Sequence, residues 1–304
     1  IMSGLESFRV GGLQPRFMIL DDGWQEVDDK GRMLSFATND RFPDGLGAVT
    51  RQAKDEYGIE CFGIWHALQG YWGGVAPKGE LGKRYRVAAL DGRRPSVMQE
   101  QRMGVVTPVD IHRFYQDWYT HLRSQGIDMV KVDSQSGLQE YTPPGSGYVA
   151  TMRAYQQALQ GAAQTHFEGN LLHCMHQSSD IYFQLSASNL ARNSDDFYPQ
   201  KDDAAQIKHI VQNAFNAAFT SHFAVPDWDM FQTYHRRAAF HAIARVISGG
   251  PLYISDQPDK TDHALLDQLV IGQNQIPRFA QAGVPIARQF FDDPRQSDGL
   301  LVVA

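Results

Sequence analysis

Nearly every apolar, strand-like run in this chain ends, on its C-terminal side, in a polar cluster. Arg16–Leu20 runs into Asp21-Asp22-Gly23-Trp24, and Ile59–His66 ends in an aromatic, glycine-rich loop from Trp65 to Gly74. Met129–Val132 ends at Asp133, and Asn170–Met175 carries His173 and Cys174. Leu190–Asn193 leads to Ser194-Asp195-Asp196, Phe223–Pro226 to Asp227-Trp228-Asp229, and Leu252–Ile254 to Ser255-Asp256. Helical patterns separate most of these runs, at Val49–Tyr57, Ile111–Gln125, Gly147–His166, Ala204–His222 and Tyr234–Ser248.

Strands alternating with helices call for a parallel sheet with crossover connections. A closed (β/α)₈ barrel gathers the C-terminal strand ends on one face, where such proteins place their chemistry. The expected fold is therefore an α/β chain of the TIM-barrel kind. Seven strands are one short of closure, and the first is expected to precede Ile1. Both ends read as cut, since the chain opens at Ile1 and closes with the strand-like Gly299–Ala304. Residues 1–285 are read as a partial barrel and 286–304 as the start of a C-terminal β-rich region. Residues 26–48 read as loop. The polar excursion that ends near residue 108 is too long for a plain connection and reads as a functional loop.

The strand Met129–Asp133 carries the sharpest chemistry. Alternation puts Met129, Lys131 and Asp133 on one face and Val130 and Val132 on the other. A lysine and an aspartate two residues apart then form an oriented charge pair. The plain alternative is a solvated salt bridge closing a strand. Asp21 and Asp22 beside Trp24 fit a clamp on sugar hydroxyls, because ionised carboxylates accept several hydrogen bonds. The plain alternative is an Asp-Gly turn with a packed indole. Paired acids also suit Ca²⁺ or Mg²⁺, but no Asp-x-Asp-x-Asp loop or His-x-x-x-His pair supports a metal. His66, His173, His176 and His235 are each expected to be core or hydrogen-bonding residues. No metal and no cofactor is expected.

The 304 residues carry a net charge of −6 without a block of Lys or Arg, which disfavours nucleic acid and anionic membranes as partners. No stretch is long and apolar enough for a membrane span. The two cysteines, Cys61 and Cys174, do not make a disulfide framework, and the compartment stays open with a slight lean to the cytoplasm. Oligomeric state is not legible.

The stretch Phe17–Gln25 resembles the second-strand signature of family 36 of the glycoside hydrolases, in its raffinose synthase and seed imbibition protein branch. Trp65–Leu68 with Gly70–Gly74, Lys131–Gln135, Asn193–Pro199, Asp227–Gln232 and Gly249–Asp256 resemble the same branch, in family order. The resemblance implies a retaining glycosidase or transglycosidase acting on α-galactosides through a covalent galactosyl-aspartate. It implies Asp133 as nucleophile and Lys131 as a ligand of galactose hydroxyls. The acid/base falls on Asp196, by the spacing from Arg192, or on Asp195, by alignment on the Ser-Asp pair. Asp21 and Asp22 match galactose-binding acids, and Trp24, Trp65 and Trp228 are candidate walls. His66, Cys174, Arg192, Asp227 and Asp229 complete the expected sugar-binding set. Ser134 and Cys174–Gln177 depart from the branch pattern near the expected acceptor position. The alternatives are a raffinose or stachyose synthase-type galactosyltransferase, a non-catalytic sugar-binding barrel, and a barrel acting on another α-sugar.

Overall fold

The computed structural model describes residues 1–91, 102–138, 147–271, 275–294 and 302–303. The Pro/Gly loop at 141–146 and most of the strand-like end at 299–304 lie outside the described residues. In chain order the elements are α1 (Met2–Val10), β1 (Phe17–Leu20), β2 (Gln25–Val27), β3 (Met33–Thr38), α2 (Gly45–Tyr57), β4 (Cys61–Ala67), α3 (Glu80–Arg84), β5 (Val87–Asp91), β6 (Arg102–Val106), α4 (Ile111–Ser124), β7 (Met129–Asp133), α5 (Tyr148–Phe167), β8 (Leu171–His173), α6 (Ser179–Tyr182), β9 (Leu190–Arg192), α7 (Asp203–Thr220), β10 (Val225–Asp227), α8 (Ala238–Ile247) and α9 (His263–Asp267). The chain divides into two compact units, residues 16–189 and residues 1–15 with 190–304.

In the first of these units β1, β4, β7 and β8 pair in parallel, in that order. The register sets Ile19 beside Gly63 and Gly63 beside Met129, then Trp65 beside Lys131 and Lys131 beside Leu172. These residues share one face by alternation. A Cβ at Gly63 would lie 2.7 Å from Met129 Cγ and 3.1 Å from Ile19 Cγ1, so only glycine leaves room for the two larger side chains.

The opposite face carries Phe62, Ile64, His66, Val130 and Val132, all with 1 % exposure or less. Helix α4 covers His66, and its buried residues Ile111, Phe114, Tyr115, Trp118, Tyr119 and Leu122 follow the spacing of one helical stripe. His66 Nδ1 meets the Ala67 carbonyl at 2.8 Å and its Nε2 meets the Tyr119 hydroxyl at 2.8 Å. A carbonyl only accepts, so Nδ1 carries the proton and the Tyr119 hydroxyl donates to Nε2.

Two hairpins interrupt this pattern where the sequence reads as loop or polar excursion. Strands β2 and β3 pair antiparallel with a register shift, and the turn between them is closed by Asp28 Oδ1, which accepts from the Lys30 and Arg32 amides. Strands β5 and β6 pair antiparallel from Val87↔Val106 to Asp91↔Arg102. Phe36, on β3, stacks on Trp118 with centroids 6.0 Å apart.

In the second unit β9 and β10 pair in parallel from Leu190↔Val225 to Arg192↔Asp227. Helix α7 begins at Asp202, whose side chain accepts from the Ala205 amide. Trp228 packs with Ile210, Ala214 and Ala217 of α7 and Ala244 of α8. The expected seventh strand at Leu252–Ile254 does not form a ladder. Only Ile254 makes a single bridge, to Phe231, where the Tyr253 carbonyl accepts from the Phe231 amide and the Ser255 amide donates to the Phe231 carbonyl.

Burial holds His66 neutral, with its pKa lowered to about 4, and burial together with the neighbouring His176 lowers His173 well below the usual range. In the unfolded chain both bind a proton below about pH 6.5. Between that value and their folded values the unfolded state holds more protons. Their contribution is thus full above about 6.5 and is lost as pH falls, by up to ~1.4 kcal/mol per pH unit for each group. Urea unfolding at pH 7.5, 6.5 and 5.5 is expected to show this decline, and His66→Gln is expected to make it shallower by one group's share. An equal slope in both proteins would refute the assignment to His66.

Candidate active site

Two groups of acids stand at strand ends, one in each unit. In residues 16–189 the first is built on β1, β4 and β7. Asp21 follows β1, and its Oδ2 takes the Lys131 ammonium at 2.6 Å. Lys131 is 8 % exposed and Asp21 50 %, so a buried cation is offset by a carboxylate that faces solvent. The ammonium expected to pair with Asp133 along the strand thus meets a cross-strand carboxylate, a partner that spacing along β7 does not reveal. Asp22 accepts from the Trp72 indole at 2.9 Å. The Tyr71 phenol is pushed up by burial and by its hydrogen bond to Asp22.

Asp133 ends β7 with both carboxylate oxygens held. Oδ1 accepts from the Ser134 amide at 2.7 Å, and Oδ2 accepts from the Trp65 indole at 3.1 Å. The Leu68 amide donates to the Asp133 carbonyl at 2.8 Å. Ser134 has φ 59, a left-handed conformation that a side chain seldom adopts. Donors aimed at both oxygens fix the rotamer.

The aromatic candidates separate by face. Trp65 lies on the face of Lys131 and acts through its indole N–H on Asp133, with Trp72 and Tyr71 rings 5.2 and 5.9 Å away. Trp24 is fully buried and donates to the Trp65 carbonyl at 2.8 Å, so it is a strut behind the strand ends and not a wall. Trp228 is likewise core, packed against α7 and α8. His66 points to α4 on the opposite face of the sheet. Cys174 is 3 % exposed, and its amide donates to the Val132 carbonyl beside the end of β7. Tyr71 and Trp72 belong to the quoted motifs but not to the site residues expected from the sequence. The indole and phenol of a glycine-rich loop at a strand end were the available signal.

The second group centres on Arg192, whose side chain is 1 % exposed. Its Nη1 meets Asp196 Oδ1 at 2.7 Å, its Nε meets Asp227 Oδ2 at 3.1 Å, and its Nη2 meets Asp229 Oδ1 at 2.7 Å. The Tyr253 hydroxyl donates to Asp227 Oδ2 at 2.8 Å. Asp227 and Asp229 have no exposure, so these expected sugar ligands instead fix Arg192. Asp196 is 55 % exposed. Asp195, also exposed, accepts from the Asp196 amide at 2.9 Å and from the Tyr198 hydroxyl at 3.4 Å. Strand β9 ends at Arg192, so both acids lie on the loop beyond it and take different partners. A cavity of about 70 Å³ beside them is lined by Asp195, Asp196, Tyr198, Lys201 and His209. Among the described residues no three or more His, Cys, Asp or Glu are grouped to hold a metal, and no helix is long and apolar enough to cross a membrane.

Parallel strands alternating with helices, with their charged residues at the C-terminal strand ends, define a protein of the (β/α)₈-barrel class. Solved barrels of this kind are similar in fold. An α-galactosidase from Thermus thermophilus in complex with stachyose matches with a TM-score of 0.60 at 17% identity, over 84% of this chain and 57% of that one. A β-L-arabinopyranosidase from Geobacillus stearothermophilus matches with a TM-score of 0.58 at 16% identity, over 87% of this chain and 69% of that one.

The chain belongs to the family described as raffinose synthase or seed imbibition protein Sip1, whose model matches residues 1–42 and 35–303. It is 34% identical to a probable galactinol–sucrose galactosyltransferase 6 of Arabidopsis thaliana, over 99% of this chain and 44% of that protein. It is 32% identical to a galactinol–sucrose galactosyltransferase of Pisum sativum, over 97% of this chain and 43% of that protein. A stachyose synthase of Pisum sativum is 29% identical over 82% of this chain and 32% of that protein. The chain thus spans under half the length of these relatives.

Proposed function

We propose that this chain carries the catalytic machinery of a retaining α-galactosyl-transferring enzyme, which moves galactose from an α-galactoside onto an acceptor sugar. The observation that carries the reading is the doubly held carboxylate of Asp133, on the strand face shared with the Lys131–Asp21 pair. In the first half-reaction an Asp133 oxygen bonds to the galactosyl C1 as the C1–O bond to the leaving group breaks. The leaving oxygen takes a proton from the general acid. In the second, an acceptor hydroxyl attacks C1 and gives its proton to the same carboxylate. Asp133 departs, and two inversions retain the α configuration.

Asp196 is assigned as the acid/base. It is solvent-facing, and Arg192 orients it while sharing its charge with Asp227 and Asp229. Asp195 then serves substrate binding. Asp21, Asp22 and Lys131 offer the acceptors and the donor that galactose hydroxyls require.

Transfer is favoured over hydrolysis because curated relatives are named as galactosyltransferases and a synthase. Incubation with galactinol, with and without sucrose, tests this by chromatography of the products. A galactosylated sucrose that forms only with the acceptor present is the expected result. Free galactose in equal amount with and without sucrose would establish a hydrolase instead. Binding of galactinol without turnover on any α-galactoside would overturn the catalytic reading.

A further inference from the structure

A second buried guanidinium stands behind Arg192, and the chemistry above makes no use of it. Arg245, on α8, has no exposure, and burial lowers its pKa only to about 10, so it stays charged at neutral pH. Its Nε donates to the Asp229 carbonyl at 2.8 Å, and its Nη2 donates to the Met230 carbonyl at 2.8 Å. Its Nη1 donates to His241 Nδ1 at 2.9 Å and to the His241 carbonyl at 3.1 Å. His209 Nε2 lies 3.2 Å from Nη2. Because His241 Nδ1 accepts, its Nε2–H donates to Gln206 Oε1 at 3.0 Å, which ties the group to α7.

What this guanidinium grips is a strained turn. Asp229 has φ 65, a left-handed conformation that costs a residue with a side chain on the order of 1–3 kcal/mol unless its surroundings hold it there. Two arginines hold it, Arg245 by the backbone carbonyl and Arg192 by the carboxylate at 2.7 Å. The Phe197 amide donates to the other carboxylate oxygen at 2.7 Å, and Phe197 directly follows Asp196. The turn therefore touches the Asp196 segment twice, once through Arg192 and once through the Phe197 amide.

We propose that Arg245 is a positioning residue for the acid/base carboxylate: it fixes the Asp229 turn, which in turn fixes Arg192 and, through it, Asp196. The inference rests on the assignment of Asp196 made above. Lysine cannot replace it, since an ammonium lacks the planar fork that reaches Asp229, Met230 and His241 together. Arg245 itself touches no reacting atom. Its removal shifts Asp196 without deleting it, and a misplacement near 1 Å is enough to cost about 100-fold in rate.

The test compares Arg245→Lys, Asp229→Asn and Asp196→Ala in the full chain. Each is assayed on p-nitrophenyl α-galactoside, whose leaving group needs little protonation, and on galactinol, whose leaving group needs a proton. Arg245→Lys is expected to lower kcat/KM on galactinol by roughly 10–100-fold and kcat/KM on the aryl substrate far less, because the second half-reaction, which also needs the acid/base, is common to both substrates and enters kcat alone. Asp229→Asn is expected to share that pattern. The Arg245→Lys/Asp229→Asn double variant is expected to fall little below either single one, as for residues acting in one chain of contacts.

Equal losses on both substrates in Arg245→Lys, tracking a fall in Tm, would mean that Arg245 only supports packing. If Arg245→Lys does not fold, Asp229→Asn decides, and parallel losses there overturn the proposal. Asp196→Ala is the control for the underlying reading. If it shows no dependence on the leaving group, the acid/base assignment fails. If it shows that dependence and Arg245→Lys does not, only the positioning role fails.

Discussion

Asp133→Asn is expected to remove turnover, by roughly 10⁴–10⁶-fold, while the protein stays folded. The amide matches the carboxylate in size, and its oxygen still accepts from the Ser134 amide in place of the 2.7 Å bond in the native protein. Its NH₂ then faces the Trp65 indole N–H, so one hydrogen bond is lost at a cost of about 1 kcal/mol. A fall in Tm of a few degrees at most is expected. The catalytic loss is far larger because a neutral amide does not form the galactosyl ester at C1. Steady-state assay on p-nitrophenyl α-galactoside, with circular dichroism as the folding control, measures both. A folded Asp133→Asn variant that keeps more than about one per cent of native activity would remove Asp133 from the nucleophile role.

The second large effect is expected from Arg192→Met. Methionine fills much of the volume but leaves Asp227 and Asp229 buried without their cation. Removing one partner of a buried ion pair costs about 3–5 kcal/mol. For units of this size that corresponds to a Tm lower by roughly 10 °C. Activity falls as well, because Asp196 loses the partner that orients it. Arg192→Met combined with Asp227→Asn and Asp229→Asn separates the two effects. The triple variant is expected to recover much of the stability and none of the activity. A single Arg192→Met variant within about 2 °C of the native Tm would show that the buried carboxylates find other compensation.

Strand ends and helix stripes were legible because they depend on local periodicity. Helix α4 appears in the spacing of Ile111, Phe114, Tyr115, Trp118, Tyr119 and Leu122, and Asp133 appears as the charged end of an apolar run. The face on which a residue lies was less legible. Trp65 and His66 are neighbours in the sequence, yet alternation sends one to Asp133 and the other to Tyr119. Only the pairing of Trp65 with Lys131 decides which is which. Trp24 and Trp228 misled for a related reason, since an indole beside an acid reads the same whether it lines a surface or fills the core.

The partners of charged groups were hidden for another reason. Lys131 meets Asp21 across 110 positions of chain, and Arg192 meets Asp227 across 35. No local pattern encodes either pair. The two antiparallel pairs do not show in the sequence because their strands are short and lie among turn residues. Leu252–Ile254 reads as a strand from its apolar run, which does not show that the run makes a single bridge, to Phe231, in place of a ladder.

The Arg192 hub also divides the molecule by its freedom to change in evolution. Arg192, Asp227, Asp229 and Tyr253 share one set of buried hydrogen bonds, so an isolated substitution at any of them strands charge or polarity in the interior. Acceptable replacements there must arrive together, which makes drift at the hub slow. Tyr198 and Lys201 line the nearby cavity without belonging to that set. Descendants of this chain can therefore explore new side chains around the cavity one at a time, while the buried assembly beneath them stays as it was.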